Sequence, residues 1–382
     1  MDDHLRGAAL AGAFHADVVR PLLAEAMPRL RYAAARLGSG SDVLGFDDVM
    51  SRDHDWGCRL TLLVDDPGAV PVVGRLLERG LPGHYRGYPV RFPVTWDASD
   101  THNVEVATVA GFCRSRLGLD PTRALSAVDW LCLTGQSVLE VTAGPVFEDT
   151  TATLAPVRAT LRRYPPDVER YVLAAWWRRV SQWMPVAGRT AARGDGTGSR
   201  ILGARLAEDL CRLAFALSRE WAPYAKWRGT AFARLDIAGA LEGPLAAAVA
   251  EPRWQDREQA LAEAVLTLSR LQRRRGLPVP DPAVIPFWDR PYRTVDEGLS
   301  AGLLAGVRDP EVAALPPGAG SVEQWSDNVD VLTAPDRRTA LAAAYRAWIG
   351  GDARTGGDAG VSRDAGPGRS RPGPQGGTDH GP

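Results

Sequence analysis

With 382 residues, 45% of them hydrophobic and 24% charged, and a net charge of −1, the chain has the make-up of a globular protein of about two domains at ~150 residues each. That balance gives no global basic field, so nucleic acid is not a favoured partner; no apolar run approaches the ~18–20 residues of a membrane span, and the N-terminal segment with Asp2, Asp3 and Asp17 does not read as a signal peptide, so no membrane partner is expected. Cys58, Cys113, Cys132 and Cys211 are scattered without a CxxC pair, which indicates neither a zinc site nor a disulfide framework and makes a reducing cytoplasm the expected location.

In chain order, residues 4–37 read as helix: Phe14, Val18, Leu22, Leu23 and Ala26 recur at helical spacing, Pro28 breaks the segment, and Leu30 to Leu37 resumes it. Gly38 to Val64 then holds a glycine–serine turn, a polar loop, two aspartates one residue apart, and an apolar strand from Cys58 to Val64. Pro67 to Arg79 is helical, Tyr88 to Val94 is a proline-interrupted edge strand, and His102 to Val109 is a third strand. In that strand Val104 and Val106 face one way, and Asn103, Glu105 and Ala107 the other.

From about Asp120 helices dominate: Pro121 to Leu133, Leu154 to Arg163, Asp167 to Met184, Ser199 to Trp221 and Arg257 to Arg275, with Ser199 as an expected N-cap. Arg200, Arg205 and Arg212 read equally as a functional stripe or a solvated basic face. Val322 to Leu332 is a short helix or turn, and Arg337 to Ile349 a last amphipathic helix. Gly350 to Pro382 has almost no apolar residue and cannot bury enough surface to fold. The expected division is therefore 1–118, a catalytic α+β domain; 119–349, a mainly α-helical domain; and 350–382, a disordered tail.

The chemistry is concentrated in the stretch after Leu37. A glycine–serine turn exposes backbone N–H groups that can cradle phosphate oxygens, which makes Gly38, Gly40 and Ser41 candidates for nucleotide binding. Asp53 and Asp55 lie two apart, so on a strand their carboxylates share a face and repel unless a cation lies between them. Mg²⁺ takes such oxygen ligands, with substrate phosphates completing its shell. Glu105 sits either on a solvated face or aimed at the site, and the second reading makes it a third metal carboxylate. Asp42, Asp47 and Asp48 read as acidic turn residues, with outer-shell metal partners as the alternative. Nearly all basic residues are arginine; Lys226 is the only lysine, set among Tyr224, Trp227 and Arg228. A compact ammonium can approach a phosphate, so Tyr224 and Lys226 are candidates for a lid over a nucleotide, against the alternative of a packed aromatic corner.

Gly40-Ser41, an eleven-residue spacer, Asp53-His54-Asp55 and then Glu105 within Val104-Glu105-Val106 resemble the motif of the DNA polymerase beta-like nucleotidyltransferase superfamily; Gly38-Ser39 with a thirteen-residue spacer is a second register. Trp56-Gly57 replaces the usual aliphatic after the second carboxylate, so the strand should start late. The segments GSDVLGFDD, SRDHDWG, GSRILGARL, APYAKWRGTAF, FWDRP and SVEQWSDNVDVL together resemble a bacterial family of uncharacterised proteins, a domain of unknown function assigned to that superfamily. The resemblance implies an N-terminal mixed sheet with flanking helices and a helical C-terminal domain. It also implies Mg²⁺-dependent transfer of a nucleoside monophosphate, from ATP by expectation, to a hydroxyl of an unidentified acceptor. Asp53, Asp55 and Glu105 would be the catalytic and metal residues. The alternative is a nucleotide-binding sensor without chemistry. A polycationic antibiotic as acceptor would require an acidic cleft, for which Asp47, Asp48 and Glu208 are the residues to place.

Overall fold

The computed structural model describes residues 6–48, 50, 56–94 and 99–350. The fold is α+β. Eight strands are present among the described residues: β1 (Tyr32–Ala35), β2 (Leu60–Val64), β3 (His84–Tyr85), β4 (Tyr88–Pro89), β5 (Val104–Ala107), β6 (Val146–Asp149), β7 (Val284–Pro286) and β8 (Arg293–Val295). Four of them form one mixed sheet in the order β5-β2-β1-β6. β1 is antiparallel to both β2 and β6, whereas β2 and β5 are parallel.

Alternation along the strands divides the core in two. Leu60, Leu62 and Val64 of β2, Ala34 of β1 and Val104 of β5 pack on α1 (Gly7–Phe14), α2 (Arg20–Ala26) and α3 (Ala69–Gly80), through Leu10, Phe14, Leu23, Val73 and Leu77. Ala33, Ala35 and Leu63 face the opposite way, onto α4 (Val109–Leu117), α5 (Ala127–Leu131) and α6 (Gly135–Thr142). That second core runs on without interruption into α7 (Leu154–Thr160), α8 (Pro166–Ala191), α9 (Gly196–Ser218), α10 (Ala225–Phe232), α11 (Ala238–Ala250) and α12 (Trp254–Arg274). The helical part is thus anchored on one face of the sheet. Among the described residues, no helix is long and apolar enough to cross a membrane.

Several elements differ from the sequence reading, each for a physical reason. Leu30 to Leu37 is not helix: it contains β1, all four residues of which are buried. Alanine favours helix by propensity, but the central strand of a sheet covered on both faces needs small side chains, and packing overrides the weaker local preference. β6 was not anticipated. Its sequence VFED carries two acids and shows no apolar run, as suits an edge strand paired only with β1. Because β6 lies beyond residue 118, the sheet is completed by residues assigned above to the helical domain. The second expected strand shrinks to the β3–β4 hairpin and an isolated bridge between Arg91 and His102. β2 starts at Leu60, the late start expected from Trp56-Gly57. Asp195, not Ser199, caps α9, accepting from the Gly198 N–H at 2.7 Å; Ser199 is buried inside the helix and accepts from Arg257. The last helix is two, Pro335–Ala340 and Ala342–Gly350. Residues 351–382 of the expected tail lie outside the described residues.

One buried histidine is expected to make stability pH-dependent. His15, in a π-helical turn (His15–Val19) between α1 and α2, is 3% exposed, with Nε2 at 3.2 Å from the Tyr32 hydroxyl and 3.5 Å from Glu148. Burial holds its pKa below the ordinary 6.5, against the opposing pull of Glu148. A depressed histidine pKa means that the unfolded chain binds the extra proton first, so the stabilisation is complete above the unfolded value and declines as pH falls below about 6.5. Urea unfolding at stepped pH is expected to show a shallower decline in His15→Gln than in the wild type; equal slopes would remove His15 from this role.

Candidate active site

Strand register brings the glycine–serine turn, the start of β2 and Glu105 to one end of the sheet. Ala35, the last residue of β1, pairs with Thr61 of β2, and Thr61 pairs with Glu105 of β5. The turn that leaves β1 and the start of β2 are therefore neighbours, with Glu105 one strand further on.

The turn is held from inside. Arg36 and Asp42, 2% and 7% exposed, form a two-pronged ion pair, Nε to Oδ2 at 2.7 Å and Nη2 to Oδ1 at 2.9 Å. Arg36 Nη2 also donates to the Ser39 carbonyl at 2.8 Å. Gly40 has φ +139°, a conformation natural to glycine, and a Cβ there would stand 2.3 Å from Asp42 Oδ1 and 2.5 Å from Arg36 Nη2. Gly38 has φ +82°. Its N–H donates to the Glu140 carbonyl at 2.8 Å, whereas the N–H groups of Gly40 and Ser41 donate to nothing among the described residues. Arg59, just before β2, reaches toward Ser39 Oγ at 3.4 Å.

Glu105 faces the α4 side of the sheet, as the alternation anticipated, and is bonded to a cation. Arg116 Nη2 lies 2.6 Å from Glu105 Oε2. The Arg116 guanidinium rests on the Phe112 ring at 5.1 Å, and its Nε is 3.9 Å from Glu140 Oε2 without a hydrogen bond. Burial pushes the Glu140 carboxyl above its usual range, and Arg116 opposes that.

Past the turn, the loop 43–46 meets the helical part. Phe46 is stacked on Trp227 of α10, with ring centroids 5.4 Å apart, and carries the Arg234 guanidinium at 4.1 Å. Arg234 also donates to the Leu44 and Gly45 carbonyls. Lys226 is exposed one residue earlier on α10, its Nζ 5.0 Å from the Trp227 ring centroid. Tyr224 donates its N–H to Gln136 Oε1 at 3.3 Å. α10 therefore reaches the loop at Phe46, while no hydrogen bond or ion pair joins Tyr224 or Lys226 to Gly38, Gly40 or Ser41 among the described residues. Of the acids considered for an acceptor cleft, Asp47 accepts from the Gly7 N–H at 2.7 Å and Glu208 is bonded by Arg212 and Arg228.

Asp53 and Asp55 lie outside the described residues. Among the described ones, no group of three His, Cys, Asp or Glu side chains is placed to hold a metal ion. Glu105, the one described member of the expected metal set, is committed to Arg116, so the described residues do not by themselves fit Mg²⁺. Sequence reasoning missed Arg36, Arg59 and Arg116. Arg36 and Asp42 flanking the glycines were a usable signal; Arg116 was not, because its place depends on how α4 lies beside β5.

Comparison with known proteins gives a likeness to a family and to a solved structure. A family described as Domain of unknown function (DUF4037) matches residues 130–228, the stretch that carries GSRILGARL and the start of APYAKWRGTAF. A crystal structure of a nucleotidyltransferase-like protein from Exiguobacterium sibiricum 255-15 is similar at 17% identity, over 68% of this chain and 74% of that chain, with a TM-score of 0.29. No curated protein matches.

Proposed function

We propose that the chain is a nucleotidyltransferase of the DNA polymerase beta-like superfamily, moving a nucleoside monophosphate, AMP from ATP, onto an acceptor hydroxyl. The observation that carries this reading is the convergence at one end of the sheet. A glycine–serine turn, two of whose N–H groups donate to nothing among the described residues, lies beside the start of β2, which comes soon after Asp53 and Asp55 in the sequence, with Glu105 one strand further on. The N–H groups of Gly40 and Ser41 would hold phosphate oxygens of the triphosphate. Lys226 would offset charge on the leaving pyrophosphate from α10. Asp53, Asp55 and a Glu105 released from Arg116 are the residues that would hold Mg²⁺, and the ion would supply positive charge to the triphosphate.

One observation favours a second reading, nucleotide binding without transfer: the Glu105–Arg116 pair at 2.6 Å keeps the third carboxylate engaged. The two are separated by titrating the protein with a non-hydrolysable ATP analogue with and without Mg²⁺, and by assaying pyrophosphate release over an acceptor panel. Transfer predicts that Asp53→Asn lowers turnover by roughly 10²–10⁴. Mg²⁺-dependent binding without pyrophosphate release would leave the sensor reading. Absence of nucleotide binding would end both.

A further inference from the structure

A second concavity lies past the turn, between the loop 43–46 and the C-terminal ends of α9, α10 and α12. Its volume is about 650 Å³, inside the range of roughly 300–1,000 Å³ typical of small-molecule sites. Gly38, Gly40, Ser41 and Glu105 do not line it. Its walls are apolar and aromatic, with Val43, Phe46, Leu139, Phe215, Trp221 and Ile237 among them. Into these walls the fold brings four guanidiniums, of Arg219, Arg234, Arg274 and Arg275.

The charges do not cancel. Arg219 and Arg275 share a single carboxylate, that of Glu169, at 2.9 and 2.7 Å. Glu169 is 6% exposed, so this shared pairing sits behind the cavity wall and leaves one positive charge in excess. Arg219 keeps the pairing from a left-handed backbone, φ +59°. Among the described residues, Arg234 lies on the Phe46 ring and donates only to the Leu44 and Gly45 carbonyls, and Arg274 has no partner. Glu220 and Asp236, both exposed at the cavity, offset part of this; against the four arginines and Glu169, one positive charge remains.

We propose that this cavity binds a small amphipathic anion, a molecule with a single carboxylate, sulfonate or phosphate group on an aromatic body. The apolar walls take the body, and Arg274 with Arg234 takes the anionic group. A polycation is disfavoured by the four guanidiniums, and nothing here matches the several charges of a triphosphate. The proposal is independent of the transfer reading, since its ligand is not the nucleotide and its residues are not those of the turn.

The test uses the full chain and two dyes. Anilinonaphthalene sulfonate is an aromatic monoanion; phenylnaphthylamine is its uncharged counterpart. Fluorescence titration should show one sulfonate dye bound per chain, more tightly than the uncharged dye. Arg274→Glu, a change at an exposed position, should weaken the sulfonate dye about tenfold or more, the scale of a charged hydrogen bond lost, and leave the uncharged dye unaffected. Ala143→Trp, which fills the cavity from an exposed position on its wall, should displace both. Equal binding of the two dyes, indifference of the sulfonate dye to Arg274→Glu, or undiminished binding in Ala143→Trp would each overturn the proposal.

Discussion

Replacing Arg36 by methionine is expected to lower the unfolding free energy by about 3–5 kcal/mol, the cost of leaving one partner of a buried ion pair alone. Asp42, 7% exposed, would keep its carboxylate in the interior with no cation to answer it. The Ser39 carbonyl would lose a donor as well. Asp42→Leu alone should cost a similar amount, because it strands the guanidinium instead. The double variant should recover part of the loss, since both charges then leave the interior together; it should not recover all, since the Ser39 carbonyl remains unsatisfied. Urea denaturation of the four proteins closes the cycle. If Arg36→Met costs less than about 1 kcal/mol, on the scale of exposed pairs, the pair is not the brace inferred here. Because the same arginine shapes the turn, weakened nucleotide binding should accompany the lost stability if the turn is the phosphate cradle.

The second large effect is expected at Gly135, the first residue of α6. A Cβ there would stand 2.1 Å from the Ala222 carbonyl oxygen and 3.0 Å from its carbonyl carbon and nitrogen. All three are backbone atoms, so no side chain can swing aside. Gly135 also donates its N–H to Glu323 at 3.1 Å, which pins α6 in place. Gly135→Ala should therefore cost about 3 kcal/mol, at the upper end of ordinary overpacking. The strain falls on the segment that leads into α10 and Lys226. Gly229 supplies the control: it lies inside α10 with open space around it, and alanine there should stabilise by about 0.5–1 kcal/mol. Thermal melts of the two variants should shift in opposite directions. A Gly135→Ala protein that melts with the wild type would mean that the approach of α6 to Ala222 is looser than described.

What could be read beforehand follows from how local each cause is. β2 was legible from its short run of Leu and Val, and β5 from the alternation of Val104 and Val106 with Glu105 and Ala107. The glycine–serine turn was legible because left-handed backbone demands glycine, and Gly38 and Gly40 both adopt it. β1 was read as helix because Ala33, Ala34 and Ala35 favour helix until a sheet closes over both their faces. β6 was missed because an edge strand with two acids does not advertise itself. The alternation that sets Glu105 opposite Val104 and Val106 was legible, but its engagement by Arg116 was not foreseeable, because it requires the sheet and α4 to be assembled first. Loop 43–46 offered no hint of Trp227 or Arg234, which come from far along the chain to hold Phe46.

The lone lysine has a practical corollary. Lys226 is exposed, is the only lysine among the 382 residues, and stands 5.0 Å from an indole that itself touches the loop after the turn. Amine-selective chemistry would therefore find a single side-chain address in this molecule without any engineering. A fluorophore attached there would be quenched or released by Trp227 according to how closely α10 lies on Phe46, turning an accident of composition into an optical gauge of that junction.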